Sequence, residues 1–323
     1  MLPITGIPPE ILRYRHRLSP QQINALFGRR VIEESFEEKA KALGKVGEFL
    51  RITDALASAG IGFVPLKGPL LSFRIYGDAT FRTYSDLDIL TDASNLTRIE
   101  EILRGEGYIT YGRPWPPSLK KQSYMLSYGH HISFVHPEKQ TAFEIHWKLA
   151  TSSWLNFRSF DVLSSPFLSQ ADFEGRSFTV LNREAELFFL VVHGGHHRWG
   201  MLKWLADVNR ILSDQEINPD LFEEYVRVLN AGRLVALCNA MLSEYFPGGP
   251  LLNDSSAVPG YMVRSSMKTI ASPVYKGPET LREILVGLPF SLLAYPGLRY
   301  KVRLLLHTVG NSFEHGRLSR ILD

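Results

Sequence analysis

Residues 82–90 read R-T-Y-S-D-L-D-I-L, an apolar run interrupted by Asp86 and Asp88. A strand sends residues i and i+2 to one face, so the two carboxylates point together. Leu87, Ile89 and Leu90 supply the apolar character that lays the strand against a core. Adjacent carboxylates repel and resist burial unless positive charge neutralises them. The pattern therefore has two readings. One is a polar strand edge facing water. The other is a site for a divalent cation such as Mg²⁺, which takes a few carboxylate oxygens and keeps its other positions for water and phosphate. A third carboxylate, or a phosphate-handling loop just upstream, favours the second.

The surrounding periodicity sets the organisation. Ile32, Phe36, Ala40, Leu43, Val46, Phe49, Ile52 and Leu56 are spaced for a helix over 31–59, closed by Ala59-Gly60. I-G-F-V-P-L at 61–66 reads as a short strand, and Pro69 opens a helix that runs to about Tyr76. The aspartate strand covers 85–91. Ser94 is placed to cap a helix carrying Leu96, Ile99, Ile102 and Leu103, and Tyr108-Ile109 starts another strand. His131–Val135 and Thr141–Trp147 form a hairpin across His136-Pro137-Glu138-Lys139-Gln140. Helical patterns follow at 183–199, 201–213, 219–230 and 233–246, and the pattern is weakest over 113–128 and 247–280. The chain reads as an α+β protein: an N-terminal helical segment at 1–60, a small mixed unit at 61–150 and a mainly helical part at 151–323.

Composition narrows the function classes. Hydrophobic residues make up 45% and charged residues 21%, which is globular. The net charge of +3 is too small to mark a nucleic-acid binder. The single cysteine, Cys238, excludes an internal disulfide and a cysteine-built zinc site, and points to a reducing cytoplasm. The first ten residues, M-L-P-I-T-G-I-P-P-E, lack the basic and apolar regions of a signal peptide. The apolar stretch at 284–298 is too short to span a bilayer and contains Pro289 and Pro296. It reads as a C-terminal core helix pair or, with Arg299, Lys301 and Arg303 behind it, as a membrane-surface contact.

The second hairpin strand holds the third carboxylate. In F-E-I-H-W at 143–147, Glu144 and His146 share one face. A charge inside such a run is costly unless it is paired or points out of the core. If this strand lies beside the Asp86/Asp88 strand, three carboxylates converge. That arrangement can hold two Mg²⁺ ions for in-line phosphoryl or nucleotidyl transfer.

The ordered motifs P-L-K-G-P-L-L (65–71), R-T-Y-S-D-L-D-I-L (82–90), F-E-I-H-W-K-L (143–149) and H-G-G-H-H-R-W-G-M-L-K-W-L-A-D-V (193–208) resemble the bacterial nucleotidyltransferase family 5, within the DNA polymerase beta-like nucleotidyltransferase superfamily. The resemblance runs from about residue 40 to residue 215. It implies a polymerase beta-like mixed sheet with flanking helices, followed by a helical C-terminal domain. It implies transfer of a nucleoside monophosphate from an NTP, with ATP foremost, and release of pyrophosphate, with Mg²⁺ or Mn²⁺ as cofactor. Asp86, Asp88 and Glu144 would ligate metal. Gly68 would let the backbone approach the triphosphate, Lys67 would add positive charge, and Arg82 would clamp a β- or γ-phosphate. Arg82 also has a plainer reading as a surface arginine, and Arg74 is a weaker candidate for the same role. The chain departs from the superfamily's Gly-Ser loop: Pro69 follows Gly68 and brings neither a hydroxyl nor an amide proton. The acceptor stays open among a peptide natural product, a small molecule and a protein side chain, with nucleic acid disfavoured by the modest charge. The alternative is a non-catalytic module of the same fold that binds or senses nucleotide.

In H-G-G-H-H-R-W-G at 193–200, His193 and His197 are i,i+4 and share a helical face. The spacing could bind zinc, but it lacks the glutamate of a metalloprotease helix and a nearby third ligand. The other readings are contact with nucleotide or acceptor, and hydrogen bonding in a polar interface with Asp207 pairing one histidine or Arg198. Trp199 and Trp204 read as core or domain-interface residues, with a stacking platform for a base as the alternative.

Overall fold

A computed structural model describes residues 3–112, 114–149, 166–214, 216–253, 256–275, 281–298, 300–302, 304–306 and 308. The chain divides into two compact units: Leu18–Glu186, and Met1–Arg17 together with Leu187–Asp323. Helix α1 (Pro9–Tyr14) lies in the second of these. The first contains α2 (Pro20–Phe27), α3 (Phe36–Ser58), β1 (Phe63–Pro65), α4 (Pro69–Tyr76), β2 (Asp86–Thr91), α5 (Leu96–Gly105), β3 (Ile109–Tyr111), α6 (Leu119–Tyr128), β4 (His131–His136), β5 (Thr141–His146), β6 (Leu168–Phe173) and β7 (Arg176–Leu181). Helix α7 (Arg183–His196) begins at its end. The second unit continues with α8 (Leu202–Asp214), α9 (Pro219–Val228), α10 (Gly232–Tyr245), α11 (Gly260–Ala271) and α12 (Leu281–Ala294).

The main sheet has the order β1-β2-β5-β4-β3. β2 and β5 are parallel, and the other neighbours are antiparallel. β6 and β7 form a separate hairpin. The period-2 alternation of each strand separates the two faces of the sheet. Leu87 and Ile89 of β2, Ile132 and Phe134 of β4, and Phe143 and Ile145 of β5 are buried in one cluster with Phe49, Ile52 and Leu56 of α3 and Ile99 and Leu103 of α5. The alternate residues of the same strands, Asp86, Asp88, Glu144, His146 and His131, therefore line the other face.

Three expectations shift. The helix predicted over 31–59 begins at Phe36, because Ser35 and Glu38 form a reciprocal capping box. Val31 and Ile32 instead donate their amides to the Asn24 side chain. Ser94 is not a cap; Asp92 accepts the Ser94 amide at 2.8 Å, and a 3₁₀ turn over Ala93–Asn95 leads into α5. Residues 113–128 contain α6, and 166–181 contain the β6–β7 hairpin. The 284–298 stretch falls largely in α12, which buries Phe290 and Ala294, with Tyr295 buried just beyond. This supports the core-helix reading. Among the described residues no helix is long and apolar enough to cross a membrane.

Candidate active site

Backbone pairing builds the site. Asp88 is the register partner of Glu144 across the parallel β2–β5 pair. His146 stands two residues beyond Glu144, and its partner on the other side is His131 of β4. Just past β1 the Leu66 amide donates to the Asp88 carbonyl at 2.9 Å, which sets Lys67 beside the Asp88 side chain. Gly68 follows as the N-cap of α4, with φ +79° and ψ −149°, a region that side-chain-bearing residues avoid. A Cβ there would lie 3.1 Å from Leu87 Cδ2. Two constraints thus require glycine at this turn. Pro69 occupies the first helical position, where an amide would have no intrahelical acceptor, so the proline costs α4 nothing.

The centre of the site is Asp88, only 1% exposed. Its Oδ1 lies 3.0 Å from His146 Nε2. Its Oδ2 has no well-formed hydrogen bond, and Lys67 Nζ stands 3.4 Å from it. Glu144 Oε2 is 3.5 Å from His146 Nε2, and Glu144 Oε1 is 3.7 Å from His131 Nε2. One ligand atom each from Asp88, Glu144 and His146 lies within 4.8 Å of the other two. Burial disfavours the charged form of Asp88, but the Lys67 ammonium and the His146 hydrogen bond prevail and hold its carboxyl well below the usual range. His146 answers in the opposite sense. Burial lowers its pKa, yet the Asp88 and Glu144 carboxylates together raise it above its ordinary value. Burial keeps His131 below its ordinary value against the pull of Glu144.

The structure brings Asp88, Glu144, Lys67 and Gly68 together and adds His146 and His131. Asp86 is not in that ligand group; it is half-buried at the start of β2 and accepts from Ser85 Oγ at 2.7 Å. Lys45 of α3 is near it. Burial lowers the Lys45 pKa while Asp86 opposes, and its Nζ donates to the Tyr84 carbonyl at 2.7 Å. Arg82 is not a surface residue: it is 2% exposed in the loop before β2, and its amide donates to Ser72 Oγ at 3.1 Å. Arg74 is engaged with Glu186 and donates to the Leu181 carbonyl at 3.0 Å.

His193 and His197 belong to the second unit. Their ring centroids are 4.6 Å apart, and both pack against Trp204. His197 Nδ1 lies 2.7 Å from the Tyr275 hydroxyl. His196 leaves that face: it is 3.1 Å from the Tyr295 hydroxyl, and burial pushes its pKa down to about 4. Among the described residues, the groups able to hold a metal do not include these histidines. The glycines of the motif have a packing role. A Cβ on Gly194 would meet the buried Trp199 ring at 2.3 Å, and one on Gly200 would meet the Tyr275 ring at 2.2 Å.

The family model described as "Uncharacterised nucleotidyltransferase" matches residues 19–247. Neither the curated proteins nor the solved structures contain a match.

Proposed function

Because the chain belongs to that family of nucleotidyltransferases, we propose that it transfers a nucleoside monophosphate from an NTP, ATP first among them, to an acceptor and releases pyrophosphate. The observation that carries this reading is the buried Asp88 in register with Glu144, beside Lys67 and the Gly68 turn. The donor set fits a divalent ion. The Asp88 Oδ2 atom is buried without a well-formed hydrogen bond, and Asp88, Glu144 and His146 present ligand atoms within 4.8 Å of one another. Asp88 and Glu144 would hold Mg²⁺ or Mn²⁺, with Asp86 at the mouth of the strand pair as a further carboxylate. Such an ion lowers the pKa of an attacking hydroxyl and neutralises phosphate charge.

The chain's own residues supply the rest. Lys67 places an ammonium at the carboxylates, within reach of a phosphate that approaches them. Gly68 keeps the backbone low before α4, and the Leu70 and Leu71 amides of the first turn point outward from the helix end. Arg82 is the proposed phosphate clamp. The expected nucleotide contact from His193 and His197 enters no step of this scheme. The setting is the cytoplasm, where NTPs are supplied, and the acceptor class is a peptide, a small molecule or a protein side chain.

One observation favours a second reading. Lys67 and His146 already neutralise Asp88, as they would in a nucleotide-binding module that does no chemistry. Turnover separates the two. Purified protein is incubated with Mg²⁺ or Mn²⁺ and each of the four NTPs, and pyrophosphate is measured beside Asp88→Asn. Metal-dependent release that vanishes in a folded Asp88→Asn protein is the expected result. Nucleotide binding without release, across a panel of peptide and small-molecule acceptors, would transfer the assignment to the binding module.

A further inference from the structure

Three imidazoles stand together at the open end of the β4–β5 hairpin. His131 and His146 are direct register partners, and His130 immediately precedes β4. The Trp147 amide donates to the His130 carbonyl at 3.0 Å, which continues the pairing one step past the strands. Gly129 permits the crowding, since a Cβ there would lie 2.9 Å from the Trp147 ring. The ring centroids are 4.2 Å apart for His130 and His131, 5.1 Å for His131 and His146, and 5.7 Å for His130 and His146. One ring nitrogen from each lies within 4.8 Å of the other two. His146 is buried, and its Nδ1 has no hydrogen-bond partner among the described residues. His130 and His131 are half-buried, so the cluster is open to solvent on one side.

We propose that His130, His131 and His146 form a nitrogen-rich site for one divalent first-row transition ion, adjoining the carboxylate pair Asp88 and Glu144. Imidazole suits zinc, iron and their neighbours, whereas Mg²⁺ selects oxygen. Three protein ligands also leave positions for water or substrate. The fit requires a small adjustment. His130 Nε2 and His131 Nδ1 are 2.8 Å apart. Two nitrogens on a tetrahedral ion with bonds of about 2.0 Å sit roughly 3.3 Å apart. Binding therefore replaces that inter-ring hydrogen bond and opens the pair by about 0.5 Å. Glu144 Oε1, 3.7 Å from His131 Nε2, ties the imidazoles to the carboxylates. The proposal rests on the nucleotidyl-transfer reading for its role in turnover but not for the existence of the site.

The test uses the full chain stripped with EDTA. A carboxylate site also ranks Zn²⁺ above Mg²⁺, so affinity order alone decides nothing. Pulsed electron paramagnetic resonance of one equivalent of bound Cu²⁺, an ion that imidazole suits, reads ligand nitrogen directly. Coupling to two or more imidazole nitrogens is expected in the wild type, and one nitrogen or none overturns the proposal without need of any variant. Calorimetric Zn²⁺ titration supplies the second arm. His131→Gln and His130→Asn should each weaken Zn²⁺ binding more than about tenfold, while Mg²⁺ binding in His130→Asn changes less than twofold. Equal Zn²⁺ affinity in wild type and both variants also overturns it. Nitrogen coupling without pyrophosphate release keeps this site and removes the reaction; release with Mg²⁺ and no nitrogen coupling does the reverse.

Discussion

Removal of the Asp88 carboxylate tests the electrostatics of the site apart from any chemistry. From the sequence, two neighbouring carboxylates predict relief when one is taken away, so Asp88→Ala should cost little. The structure reverses that expectation. Asp88 is the buried counter-charge of Lys67, which is itself only 12% exposed at its side chain, and of His146. Breaking a buried pair by deleting one partner costs about 3–5 kcal/mol, because the other charge is left without compensation. The residual exposure of Lys67 sets the expected loss near the low end, about 3 kcal/mol. At a urea m-value of about 3 kcal/mol/M the midpoint falls by about 1 M. The assay is urea unfolding followed by circular dichroism at pH 7 in EDTA, which keeps metal out of the comparison. Lys67→Met in the Asp88→Ala background removes the stranded ammonium and should recover roughly 1–2 kcal/mol of the loss. The pH dependence gives an independent check. The raised pKa of His146 contributes stability that is complete below about pH 6.5 and is lost as pH rises through the folded value. Wild type should therefore weaken from pH 6 towards pH 9 more than Asp88→Ala does. A metal-free Asp88→Ala protein within about 0.5 kcal/mol of wild type, with the same pH profile, would refute this account.

Gly68→Ala should cost about 1–3 kcal/mol, since alanine must adopt φ +79° and press Leu87; urea unfolding measures it. Gly194→Ala drives a methyl into the Trp199 ring and should lower stability by more than about 2 kcal/mol, read as a fall in the melting temperature. His196 is held neutral down to about pH 4, while an unfolded chain takes up its proton near pH 6.5. Its contribution to stability therefore falls as pH drops between those values, and His196→Gln should flatten the wild-type loss over that window in melting curves.

The elements that were legible are those whose apolar period is complete within one segment. Phe49, Ile52 and Leu56 gave α3, and the alternation of Leu87 with Asp88 and of Phe143 with Glu144 gave the two site strands. Helix α6 was not legible because, among the described side chains of L-K-K-Q-S-Y-M-L-S-Y, Met125 alone is buried, which makes no clear stripe. The β6–β7 hairpin has a local signal in Glu174-Gly175: both residues take positive φ in the two-residue turn that joins tightly paired strands. Helix boundaries depended on competition between side chains for the same amides. Asn24 takes the amides of Val31 and Ile32, and no periodicity of 31–59 contains that information.

The site itself was half legible, for a physical reason. Period 2 placed Glu144 and His146 on one face, but the sequence does not say which strand lies alongside. The parallel pairing of β2 with β5 brings Asp88 opposite Glu144, and the antiparallel pairing of β4 with β5 brings His131 opposite His146. β5 is thus the shared strand, with carboxylate chemistry on one flank and imidazole chemistry on the other. A histidine in F-E-I-H-W is indistinguishable from an ordinary core histidine until both neighbours of β5 are known. The same logic applies to Lys67. Its place beside Asp88 follows from the Leu66 amide bonding the Asp88 carbonyl, a backbone contact at the end of the short strand β1. The sequence supplies the donors on each strand, and the strand order selects which of them meet.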